Sequence, residues 1–141
     1  MNLRRYRILF CLAITPLLPH SGRSEETVKV SFQETIRPLL LEKCVHCHNL
    51  KTMPDRVSFE SSGLAFIRNA AGQGIIVPGK PDESLIVTAL ETPQIHEKAM
   101  PLVGRRPNVD EIALIRRWVA EGADWPPGNA GKIKPRFKAA E

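Results

Sequence analysis

Cys44-Val45-His46-Cys47-His48 reads Cys-x-x-Cys-His, the spacing through which a chain attaches a c-type haem. Each residue has a chemical reason. Two cysteines three apart on a helix project from one side, so both thiols can add to the two vinyl groups along one porphyrin edge. His48, next in the chain, brings an imidazole to the iron as the proximal axial ligand. A bare Cys-x-x-Cys would also suit a dithiol switch or half of a zinc site. The adjoining histidine and the surrounding sequence favour haem.

Working outward, the first residues have the form of an export signal. Arg4, Arg5 and Arg7 precede an apolar run from Ile8 to Leu18. Cleavage between Ser24 and Glu25 would leave Gly22 and Ser24 at the small-residue positions. The run is far shorter than the ~20 residues that span a bilayer, so membrane contact is expected only if the segment is retained. Cys11 follows Phe10, where a lipoprotein signal needs a small residue, and is expected to leave with the signal. Losing residues 1–24 takes four arginines from the 20 basic residues, leaving 16 against 15 acidic ones. The basic pI is therefore a targeting property and no argument for nucleic acid. Only Cys44 and Cys47 remain, so no disulfide framework is available. The export signal points to the periplasm or an equivalent compartment, where thioether bonds would consume both thiols.

The mature chain has the length of one domain, and its few aromatics (Phe32, Phe59, Phe66, Trp118, Trp125 and Phe137) give it a limited core. A flat apolar cofactor would help to fill that core, and the apo-protein is expected to be partly or wholly unfolded. Ser31-Phe32-Gln33-Glu34 has the form of a capping box, with Glu34 returning to Ser31. Phe32, Ile36, Leu39, Leu40 and Cys47 follow at helical spacing, with Pro38 bending the helix or delaying its regular part. The motif then lies at the end of this first helix. Ser62 to Ala71 is predicted as a short helix burying Leu64, Phe66 and Ile67. Ile75-Ile76-Val77 reads as extended, and Pro78-Gly79 as a turn. Pro81 opens a helix over Asp82 to Leu90, with Leu85, Ile86 and Ala89 inward. The last helix starts at Asn108, carries Ile112, Ile115, Trp118 and Val119 as its stripe, and stops at Gly122 before Trp125-Pro126-Pro127. The sequence thus predicts an all-α domain over 25–127, between a signal peptide, 1–24, and a basic tail, 128–141, expected to be disordered.

An electron carrier closes the far side of the iron with Met or a second His. Met53 is five residues past His48 and His46 lies between the cysteines, so neither has a ready route there. Met100, in the loop before the last helix and held extended by Pro101, is the favoured distal ligand. His96 is its rival.

Ile36-Arg37-Pro38-Leu39-Leu40, the Cys44–His48 motif, Pro78-Gly79-Lys80-Pro81-Asp82-Glu83-Ser84-Leu85, Met100-Pro101, and Ile115-Arg116-Arg117-Trp118 through Gly122-Ala123-Asp124-Trp125-Pro126 together resemble the planctomycete-type cytochrome c domain. The resemblance spans roughly residues 30 to 127. It implies a small class I-like cytochrome c helical fold with irregular loops around one covalent haem c, His48 as proximal and Met100 as distal ligand. The chain departs from the family pattern in two places: Asn49 stands where glycine often follows the motif, and Ala71-Gly72 where a Gly-Gly pair is frequent.

The function expected is that of an exported mono-haem electron-transfer protein, not an enzyme, serving redox protein partners. A haem enzyme or small-molecule sensor with an open distal site, peroxidase-like, is the alternative. A dithiol or zinc module is the third reading. The motif closes a helix where a thioredoxin-like one opens it, and a structural zinc site needs four ligands.

Overall fold

The computed structural model describes residues 28–54 and 56–136. The expected signal peptide, 1–24, lies outside the described residues, and among those described no helix is long and apolar enough to cross a membrane. The first helical element among the described residues is a π-helical turn, Phe32–Ile36, that runs directly into helix α1, Arg37–Lys43. Phe32, Ile36 and Leu40 recur every four residues on one face and are all buried. Pro38 explains the widened turn. It has no N–H to give, and ahead of it Ile36 and Arg37 donate five residues back, to Ser31 and Phe32. Only half of the expected capping box forms. The Ser31 hydroxyl accepts the Glu34 N–H at 3.2 Å, without a returning bond from Glu34.

The second helix is much shorter than the sequence predicts: α2 covers only Ser62–Ala65. Asn69 is the cause of the early stop. Its side-chain oxygen accepts the N–H groups of Ala71 and Gln73, which offers the backbone a turn in place of helix. Arg68 and Gly74 then form an isolated antiparallel bridge. Of the residues expected inside, Leu64 is half-buried and Phe66 and Ile67 are exposed; Ala65 is the buried one.

Ser84 divides the next predicted helix into a 3-10 turn, Pro81–Glu83, and α3, Leu85–Glu91. Its buried hydroxyl accepts the Val77 N–H and donates to the Lys80 carbonyl, both at 2.9 Å, which holds Ser84 extended. The break turns the helix, so that Ile86, Val87 and Leu90 face the core and Leu85 and Ala89 sit half-buried.

The last helix, α4, Val109–Ala120, carries a complete capping box between Asn108 and Glu111. It ends in a Schellman turn. Ala123 donates to the Trp118 carbonyl and Gly122 to that of Val119, with Gly122 at φ 106°, a conformation glycine adopts without strain. Trp118 and Trp125 lie 6.0 Å apart, and Phe32 sits 4.6 Å from Trp125, which joins the first helical segment to the last.

The tail departs from expectation as well. Gly128–Gly131 forms a 3-10 turn and Ile133 is buried, its N–H bonded to the Glu60 carbonyl at 2.9 Å. Trp125 donates its indole N–H to the Gly131 carbonyl, and a Cβ on Gly131 would collide with the Pro126 carbonyl. The segment is basic but has one apolar anchor at a position that the charges conceal. Residues 137–141 lie outside the described ones.

Candidate functional site

The motif leaves α1 at its C-terminus. Cys44 caps the helix, and the chain then turns on itself, with Cys47 and His48 both donating to the Cys44 carbonyl at 3.2 and 2.9 Å. The turn faces a cleft of about 870 Å³, near the upper end of the ~300–1,000 Å³ typical of ligand sites. Cys47 and His48 line it from one segment and Met100 from another, 52 residues past His48. Val57, Ile67, Ile75 and Leu85 supply apolar walls. Cys44 does not line the cleft. It is half-buried and packs against the core beside it.

Burial pushes the Cys44 thiol up to about 12, with the neighbouring Cys47 adding to the effect and Lys43 opposing it. Such a thiol holds almost no thiolate at neutral pH. Burial likewise holds His48 below the usual imidazole range. Its Nδ1 is buried and makes no hydrogen bond of ordinary geometry, although the Val57 backbone pulls its pKa back upward. The ring meets the Phe59 ring edge-on at 5.5 Å.

Met100 is held by its backbone, whose N–H bonds the Ala89 carbonyl in α3 at 3.0 Å. Arg106 secures the same loop. It donates to the carbonyls of Leu90 and Thr92 and to the Gln94 side chain, and Gln94 in turn donates to the Pro101 carbonyl. A cation on the last carbonyls of a helix also suits the helix dipole. His96 is exposed and absent from the cleft lining, and its Nδ1 accepts the Lys98 N–H at 3.1 Å.

Sequence reasoning passed over several lining residues. Met53 and His46 both reach the cleft, despite their closeness to the motif. Lys43, its side chain only 5% exposed, forms an ion pair with Glu42 at 2.7 Å. Hydrogen bonding to Lys43, then its charge, lowers the Glu42 pKa. Arg56, Arg68 and Arg105 come from three separate loops to the same cleft, so its charge is predominantly positive. Loop arginines carry no periodicity that would have marked them.

The cleft fits a haem, with Cys44 the one of the expected haem-binding residues outside its lining. The cleft is large and mainly apolar, His46, His48 and Met53 reach it from the motif side and Met100 from a distant segment, and four basic side chains could meet carboxylates. The His48 Nδ1 is buried near the Val57 backbone without a hydrogen bond of ordinary geometry. Among the described residues no group of three or more His, Cys, Asp or Glu side chains is arranged to hold a metal ion. Comparison with protein-family models, curated proteins and solved structures returned no match.

Proposed function

We propose that this chain is an exported mono-haem c-type cytochrome that transfers electrons. The observation that carries the reading is that His48 and Met100, far apart in sequence, line one cleft together with Cys47, while His96 does not. Cys44 and Cys47 would tether the haem, and His48 and Met100 would hold its iron. The bound group supplies a one-electron Fe(III)/Fe(II) couple. The chain's own part is to keep the two ligands in place and shield the cleft with apolar side chains. Arg56, Arg68 and Arg105 would meet the anionic edge. The motif closes α1 where a thioredoxin-like dithiol opens a helix, which argues against a dithiol switch.

The test is co-expression with a c-type haem maturation system. A haem that survives acid–acetone extraction and gives a thioether-type pyridine haemochrome supports the reading. Loss of all haem on extraction would sink it. Carbon monoxide binding to the reduced native protein would favour the open-site alternative.

A further inference from the structure

Asn49, the residue that departs from the glycine common in the resembling family, is fully buried. Its amide nitrogen donates to the carbonyls of Val45 and His46 at 2.8 and 2.9 Å and meets the Thr52 hydroxyl at 3.0 Å. Its amide oxygen accepts the N–H groups of Lys51 and Thr52 at 3.0 and 2.9 Å. Its backbone N–H reaches the Cys47 carbonyl, and its own carbonyl accepts the Met53 N–H. One side chain thus stitches the loop before His48 to the loop after it. The imidazole's own polar anchor is weaker: Nδ1 approaches the Val57 backbone without a hydrogen bond of ordinary geometry. The orientation of His48 therefore depends largely on its neighbours in the chain, with the Phe59 ring and the Val57 backbone beside it.

We propose that Asn49 is the positioning residue for the axial histidine, fixing the path of the motif turn and through it the plane of the His48 imidazole. The proposal rests on the haem reading above. It requires both faces of the carboxamide, because carbonyls must be met by N–H groups and N–H groups by an oxygen. Glycine would remove all of these side-chain contacts, leaving the His46 carbonyl the Thr52 hydroxyl at 3.4 Å. Aspartate would keep the acceptor and lose the donor, setting a carboxylate against the Val45 and His46 carbonyls.

The test compares haem-loaded wild type with Asn49→Asp, Asn49→Gly and the control Thr52→Val, which alters the outer edge of the same network. Haem content comes from the pyridine haemochrome, ligand orientation from the electron paramagnetic resonance g-values of the oxidised form, and the reduction potential from titration. The expected result is wild-type g-values in Thr52→Val, with shifted g-values and a lower potential in Asn49→Asp as water gains access to the iron. Asn49→Gly should shift in the same sense, or lose haem that the wild type retains. Wild-type g-values and potential in Asn49→Asp, even with a lower melting temperature, would reduce Asn49 to a structural role and overturn the proposal. A wild-type chain without covalent haem would overturn the functional reading, and this inference with it.

Discussion

Met100 donates its backbone N–H to the Ala89 carbonyl at 3.0 Å, so the loop that brings a methionine to the cleft is fastened to the last turn of α3. The side chain is thereby presented from irregular backbone whose position a regular helix determines. That arrangement makes the loop's other tethers testable.

Arg106 makes several of them. Arg106→Ala would strip the guanidinium from the Leu90 and Thr92 carbonyls and from Gln94. We expect a loss of about 1.5–3 kcal/mol in chemical denaturation, the range for hydrogen bonds to a charged group. The loop should also show faster hydrogen exchange at Met100. Unchanged exchange there would mean that the Ala89 bond suffices.

The two candidate distal ligands separate cleanly by mutation. In the proposed haem-loaded protein, with Met100 as distal ligand, Met100→Ala should abolish a methionine-to-iron charge-transfer band of the oxidised form and allow carbon monoxide to bind when reduced. His96→Ala should leave the spectrum unaltered, since His96 does not reach the cleft. The reverse pattern would assign the distal position to His96.

Ile133 provides the measure of the tail. Ile133→Ala should cost about 2–5 kcal/mol, as for other buried aliphatic truncations. Lys134→Ala, on the exposed backbone next to it, should be nearly neutral. A solvated tail would make both substitutions silent.

Acid should loosen the junction between the N-terminal segment and α4. Glu121 accepts the Val30 N–H at 2.7 Å and pairs with Arg117 at 2.6 Å. The Val30 bond, ahead of Arg117, lowers its pKa, against a smaller upward effect of burial. A carboxylate depressed in the folded state contributes stability that is present above its unfolded value of 4.5 and lost as pH falls through the folded one. Wild type should therefore lose more stability than Glu121→Gln as the pH drops below about 4.5. Parallel stability curves would show that this carboxylate is not linked to folding.

Arg105 reports on the charge of the cleft. In the haem-loaded protein, Arg105→Glu should slow electron exchange with the anionic probe ferrocyanide severalfold at low ionic strength and flatten its salt dependence. An unchanged salt dependence would mean that electrons enter elsewhere.

The sequence by itself determined the elements whose signals are local. Asn108 and Glu111 announce α4 because a capping box closes within four residues, and Gly122 ends it because the turn needs a left-handed residue. The Cys44–His48 spacing on which the proposed site rests is likewise read without reference to anything distant. What only the tertiary structure decided depends on partners far away along the chain. Asn69 and Ser84 are local exceptions: they cut short helices that periodicity extends, because their side chains bond nearby backbone groups that the helical pattern leaves out of account. Ile133 is buried because Glu60 and the Trp125 corner provide a place for it, and a stretch of lysines gives no sign of that. The same holds for the cleft. The meeting of His48, Met100, Arg56 and Arg105 requires several loops to converge, and convergence is a property of packing, which no residue's neighbours in sequence encode.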